Sequence, residues 1–213
     1  MHAENTISPP WKQTNRITGP PAKTTATRYE NEFSIRNFPG IPPQRSLFPA
    51  EFPVNVMHIQ SLYLDTSVIG GYHDTEWLAD TRELWQQAQA GQWRLVTSIV
   101  AEAELKNAPA NVQDVFAATF DASNILDTST EIEDLAQAYL AAGVVPPKFA
   151  DDALHVAMAT VHGVRLVVSW NFKHLVNVRR EDGFNAVNLL QGWPAVRIVS
   201  PKEIIHAHDK QPE

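Results

Sequence analysis

A parallel-sheet α/β sandwich is the fold this sequence predicts, and three observations predict it. Short runs rich in β-formers alternate with amphipathic, glycine-terminated segments, the pattern of strands joined by helices. The run Val164-Arg165-Leu166-Val167-Val168-Ser169 is almost continuously apolar, as a strand covered on both faces of a parallel sheet requires. A third run, Ser61-Leu62-Tyr63-Leu64, meets Asp65-Thr66-Ser67 and then Gly70-Gly71. That reads as a buried strand ending in a tight turn, with a carboxylate at its carboxyl end. In open α/β sheets that end is where ligand sites form.

The remaining elements follow from local signals. Thr75 to Ala90 carries one apolar stripe of Trp77, Leu78, Thr81, Leu84, Trp85 and Ala88, and Gly91 closes it, so a helix is expected. Trp93 to Thr97 reads as a strand, and Ser98 as the cap of a helix through Lys106. Pro109 opens a helix to about Phe120, and Ile125-Leu126 suggests a short strand. Glu131 to Ala142 presents Leu135, Ala138, Tyr139 and Ala142 on one face before Gly143. Pro146-Pro147 opens a helix from Lys148 to His162, ended by Gly163. Beyond the apolar run come a short helix around His174, a loop through Gly183, a helix near Val187–Leu190, a strand Val196–Val199 and a turn Pro201–Ile205. No internal repeat is visible.

Residues 1–56 differ from the rest. Prolines recur, as in Pro9-Pro10, Pro20-Pro21 and Pro42-Pro43, and no apolar period persists, so a disordered extension dispensable for folding is expected. Its aromatic residues Trp11, Tyr29, Phe33 and Phe38 offer an alternative role as a partner-binding tail. Residues 209–213 read as a flexible tail, leaving 57–208 as the folded domain.

Composition narrows the function classes. The net charge is −7, and the balance of six basic and four acidic side chains in 1–56 leaves the rest more acidic still. An acidic body does not suit general binding to phosphate backbones, unless metal ions neutralise a local acidic cluster. The chain has no cysteine, hence no disulfide framework and no thiolate metal site, which fits a cytoplasmic protein. No apolar run approaches the roughly 18 residues of a membrane span.

Four positions are expected to converge at the carboxyl ends of the strands: Asp65, Glu104, Asp152 and Asn171. Three carboxylates and an amide are oxygen donors suited to Mg²⁺ or Mn²⁺. Crowded without a cation they repel, and at least one pKa should rise. Each has a plainer explanation taken singly. Asp65 caps a turn, Glu104 is an exposed acid beside Glu102, Asp151 and Asp152 favour a helix N-terminus, and Asn171 is a turn residue.

Together, these residues carry a resemblance. Leu64-Asp65-Thr66-Ser67, Ser98-Ile99-Val100-Ala101-Glu102-Ala103-Glu104-Leu105, Asp152-Ala153-Leu154-His155-Val156-Ala157-Met158-Ala159 and Ser169-Trp170-Asn171-Phe172-Lys173-His174 resemble, in order, the motifs of PIN-domain ribonucleases, specifically toxins of the VapC type. The match runs from about Ile59 to Ile205. The resemblance implies a PIN-type sandwich over 57–208 and metal-dependent hydrolysis of RNA. It assigns Asp65 and Asp152 as principal metal ligands, Glu104 as a second-site ligand or water-orienting group, and Asn171 as an auxiliary ligand. It also implies a cognate antitoxin and a homodimer. Many family members carry Asp where Asn171 stands, so a second metal is expected to bind more weakly.

Other readings compete. A non-catalytic protein that keeps the fold as an interaction module is the main alternative. A phosphoaspartyl hydrolase wants a carboxylate two residues after Asp65, where Ser67 stands. A zinc site would draw on His155 or His174 with Asp151 or Asp152. Lys173 and His174 suit contacts to RNA phosphates, and Trp170 suits packing more than base stacking.

Overall fold

The computed structural model of the chain describes residues 59–206. The expectations for residues 1–56 and 209–213 lie outside the described residues. The elements in order are β1 (Gln60–Leu64), α1 (Thr66–Gly71), α2 (Leu78–Gln89), β2 (Trp93–Ser98), α3 (Ile99–Leu105), α4 (Ala110–Thr119), β3 (Ile125–Leu126), α5 (Thr130–Ala141), a 3₁₀ turn (Pro147–Phe149), α6 (Ala150–Val161), β4 (Leu166–Val168), α7 (Val178–Gln191), β5 (Arg197–Val199) and α8 (Pro201–Ile205).

The strands pair in parallel in the order β3-β2-β1-β4-β5, so the fold is the expected parallel α/β sandwich. From β1 the chain steps outward through β2 to β3, then returns to lay β4 on the other side of β1. The switch point therefore lies between β1 and β4, where a crevice opens at the strands' carboxyl ends.

Strand alternation sorts the core into two layers. Tyr63, Val96, Val167 and Ile198 point to one face and pack with α5, α6 and α7. Leu62, Leu64, Leu95, Val168 and Val199 point to the other and pack with α1, α2, α4 and α8. The register agrees with this sorting, since Leu62 faces Leu95 and Leu166 while Tyr63 faces Val96 and Val167. A slip of one residue would turn every one of these side chains to the wrong layer. Each large apolar side chain buried this way contributes about 1.5–3 kcal/mol. Among the described residues, no helix is long and apolar enough to cross a membrane.

Four local expectations are corrected. The tight turn after Leu64 is the helix α1, whose N-cap is Asp65. The segment around His174 is a turn, held by the Leu175 and Val176 amides donating to the Asn171 carbonyl at 2.9 Å each. The loop through Gly183 belongs to α7. Asn177 caps that helix, and Gly183 sits where an added Cβ would come within 3.1 Å of Val144. The glycine there permits the close approach of α7 to Val144. Finally, Pro201–Ile205 is a helix with a capping box, in which Ser200 and Glu203 bond each other's backbone amides.

Candidate active site

Asp65 is 4% exposed at the end of β1. Its Oδ1 accepts from the Ser67 amide at 3.0 Å, the Val68 amide at 3.3 Å and the Ser67 hydroxyl at 2.6 Å. These bonds cap α1 and fix the carboxylate in one orientation. Oδ2 accepts from Ser169 Oγ, beyond β4, at 2.6 Å. The Asn171 amide donates to the same Ser169 oxygen at 2.9 Å. The Asn171 side-chain amide then donates to Asp152 Oδ1 at 3.0 Å, on the first turn of α6. Asp65, Ser169, Asn171 and Asp152 thus form one continuous chain of hydrogen bonds across the switch point.

Glu104 enters by a second chain. Thr66, next to Asp65, donates through its hydroxyl to Glu104 Oε2. The same oxygen lies 3.4 Å from His155 Nε2. His155 Nδ1 shares a bond with Tyr63 OH at 2.7 Å, and Tyr63 OH shares another with Ser98 at 2.8 Å. Ser98 is in turn the N-cap of α3, the helix that carries Glu104. Side chains from the ends of β1 and β2 therefore orient His155 on α6, and His155 orients Glu104. All four predicted positions gather in one region. Glu102 and Asp151 are exposed and enter neither chain.

The electrostatics reflect three acids around one buried imidazole. Burial raises Asp65 against the opposing pull of His155 and its serine bonds. Burial also pushes Asp152 up to about 6; His155 opposes this, while the nearby Asp65 charge adds to it. Like-charge crowding was the expected cause of a raised acid, and burial is the larger one. Glu104 moves the other way: burial opposes ionisation, yet the bond and charge of His155 with the Thr66 hydroxyl hold it below its usual range. His155 is raised despite its burial, first by Glu104 and then by Asp65 and Asp152.

The donor set is all oxygen, as a hard divalent cation prefers. Asp152 Oδ2 is a buried oxygen with no hydrogen-bond partner, the kind of atom that a cation satisfies. A Mg²⁺ or Mn²⁺ ion would find its oxygen donors on Asp65 and Asp152, with Glu104 beside them. Among the described residues, no three His, Cys, Asp or Glu side chains stand as a finished ligand set. The acids share a neighbourhood and a bond network rather than a coordination sphere. Asn171 turns its oxygen away, accepting from the His174 amide at 3.1 Å, and offers its NH₂ to the site. In this arrangement it positions Asp152. Both ring nitrogens of His155 are engaged, so it bridges Tyr63 and Glu104 rather than standing ready for zinc.

Beside Asn171 opens a groove of about 550 Å³, reached past Ser67, Gly70 and Gly71 toward Trp77. In sequence His155 stands among the zinc candidates, and nothing local marks Tyr63 or Ser169 for a role. Their functional signal is spatial: Tyr63 meets a residue 92 positions away and Ser169 one 104 positions away. No family model matches this chain, and no curated protein matches it either.

Proposed function

We propose that this chain is a metal-dependent ribonuclease that hydrolyses phosphodiester bonds of RNA, acting as the toxin of a toxin–antitoxin pair. The observation that carries the reading is the bond chain Asp65–Ser169–Asn171–Asp152 at the switch point, ending on an unpartnered carboxylate oxygen. The reading also rests on the resemblance of the four short motifs to those of PIN-domain ribonucleases. A bound Mg²⁺ or Mn²⁺ supplies positive charge at the scissile phosphate and a lowered pKa for the attacking water. The protein's part is orientation. Ser67 and Ser169 lock Asp65, Asn171 aims Asp152, and Thr66 with His155 holds Glu104 where it can direct a water. The same reading implies a cytoplasmic protein, an antitoxin that covers the crevice, and a homodimer.

The test is cleavage of a mixed RNA pool by purified protein with Mn²⁺, with chelator, and with Asp65→Asn. Metal-dependent cleavage abolished by Asp65→Asn supports the proposal. Cleavage that survives Asp65→Asn, or no cleavage under any metal condition, overturns it.

One observation favours a second reading, a non-catalytic interaction protein on the same fold. The Asn171 NH₂ already satisfies Asp152 Oδ1, and His155 already compensates Glu104, so part of the acid cluster is balanced without metal. Stable RNA binding without cleavage would select this reading.

A further inference from the structure

Trp77 and Trp170, which line the groove beside Asn171, belong to a group of rings that hydrolysis alone does not use. Trp170 is buried, and its indole N–H donates to Thr81 Oγ1 at 3.0 Å, which makes it a fixed floor. Trp77 stacks on it with ring centroids 4.4 Å apart and an interplanar angle of 24°. Phe172 leans on both, 5.8 Å from Trp77 and 6.0 Å from Trp170. Trp77 is half-buried and lines the groove; Phe172 is 46% exposed and follows directly on Asn171. An exposed ring held against a stacked indole pair offers flat apolar surface beside a polar site.

The charges around Asn171 complement this. Lys173 follows Phe172 and is exposed. Lys148 lies 4.8 Å from the Phe149 ring, which packs on His174 with centroids 3.6 Å apart. Two lysines thus flank the turn after β4 in an otherwise acidic body. Rings on which a base can stack, next to cations that suit a phosphate, are the two halves of a single-strand nucleic-acid site. A base already paired in a duplex has its faces covered and cannot use such a surface.

We propose that Trp77 and Phe172 form a stacking platform for an unpaired base of single-stranded RNA, beside the acids Asp65 and Asp152 at which a divalent cation would bind the neighbouring phosphate. This rests on the ribonuclease reading and adds the side chains that grip the substrate: Trp77 and Phe172 hold an unpaired base by its face. Trp170 suits packing more than base stacking, and its burial agrees. The platform uses the two rings that Trp170 supports.

The experiment titrates a short single-stranded oligoribonucleotide containing 2-aminopurine into wild-type protein in chelator, which prevents metal-dependent cleavage, and follows probe fluorescence. Stacking is expected to quench the probe. Phe172→Ala and Phe172→Leu should each weaken binding roughly tenfold, while Phe172→Tyr should retain it. Because Phe172 is exposed, these variants are expected to fold, and circular dichroism checks that they do. A duplex of the same sequence should bind weakly. Binding retained by Phe172→Leu, an absent quench, or equal binding of duplex overturns the platform. Wild-type cleavage is measured in parallel. Quenching without cleavage sinks the hydrolytic reading and leaves the platform standing. Cleavage with an unchanged KM in Phe172→Leu sinks the platform alone.

Discussion

The side-chain amide of Asn171 donates to Asp152 Oδ1 at 3.0 Å, while its own oxygen accepts from the His174 amide at 3.1 Å. One neutral residue thereby ties the turn after β4 to the start of α6 and aims a partly buried carboxylate. A carboxylate at the same position would still accept from the His174 amide, but it has no proton to give to Asp152 at neutral pH.

Asn171→Asp therefore tests what the amide does. Without metal, a second carboxylate against Asp152 should destabilise the fold by about 1–3 kcal/mol at neutral pH, through like-charge repulsion and a lost donor. With Mn²⁺ the extra anionic oxygen should enlarge the metal-dependent rise in Tm. Thermal melts with and without Mn²⁺ check both signs. A variant as stable as wild type in chelator would show that the amide bond carries little.

Asp152 sets a pH dependence whose sign is defined. Its pKa rises from 3.8 to about 6 on folding, so between those values the folded state holds more protons than the unfolded one. Stability should then fall as pH rises through that window. Asp152→Asn keeps an acceptor for Asn171 and removes the charge. It should stabilise metal-free protein by about 1 kcal/mol at pH 7 and by little near pH 4, a figure reduced for partial solvation of the group. Mn²⁺ should stabilise wild type more at neutral than at acid pH and barely affect Asp152→Asn. Exposed Glu102→Gln should respond to metal as wild type does. Equal Mn²⁺ shifts in wild type and Asp152→Asn would remove Asp152 from the site.

The His155–Glu104 pair predicts a spectroscopic change. His155 is raised above 6.5 in the fold, chiefly through Glu104 working against burial. Its contribution to stability is complete below the unfolded pKa and is lost as pH rises through the folded one. Glu104→Gln should lower the His155 titration midpoint seen by NMR of its ring protons. An unmoved midpoint would mean that Asp65 and Asp152, not Glu104, hold the imidazolium.

The paired glycines of α1 should behave oppositely. A Cβ on Gly71 would come within 2.8 Å of Trp170 Nε1 and 3.0 Å of Thr81 Oγ1, while one on Gly70 meets open space. Gly71→Ala should cost about 1–3 kcal/mol by overpacking a buried ring. Gly70→Ala should stabilise by up to about 1 kcal/mol, because the helical backbone loses less entropy. Urea melts of both variants check the contrast; two variants of equal stability would refute it.

Sequence alone determined the strands and most helix ends. Those features rest on neighbours within a few residues: the alternation of Leu62, Tyr63 and Leu64, the Ser98 cap, and the glycines after α5 and α6, which take positive φ at Gly143 and Gly163. Two local signals were present and read otherwise. Asp65 before Thr66-Ser67-Val68 is a helix cap, obscured by the glycines at 70 and 71, and Ser200-Pro201-Lys202-Glu203 is a capping box. Tertiary structure decided the rest. Gly183 sits inside α7 where a Cβ would crowd Val144, a packing constraint that no window of α7 reveals. The acids' common neighbourhood was legible as four positions after strands. Their coupling was not, because Ser169, Tyr63 and His155 acquire their roles only when β4 and α6 are laid against β1. Hydrogen bonds are directional over about 3 Å, and which polar groups come within that reach is settled by packing between segments far apart in the chain.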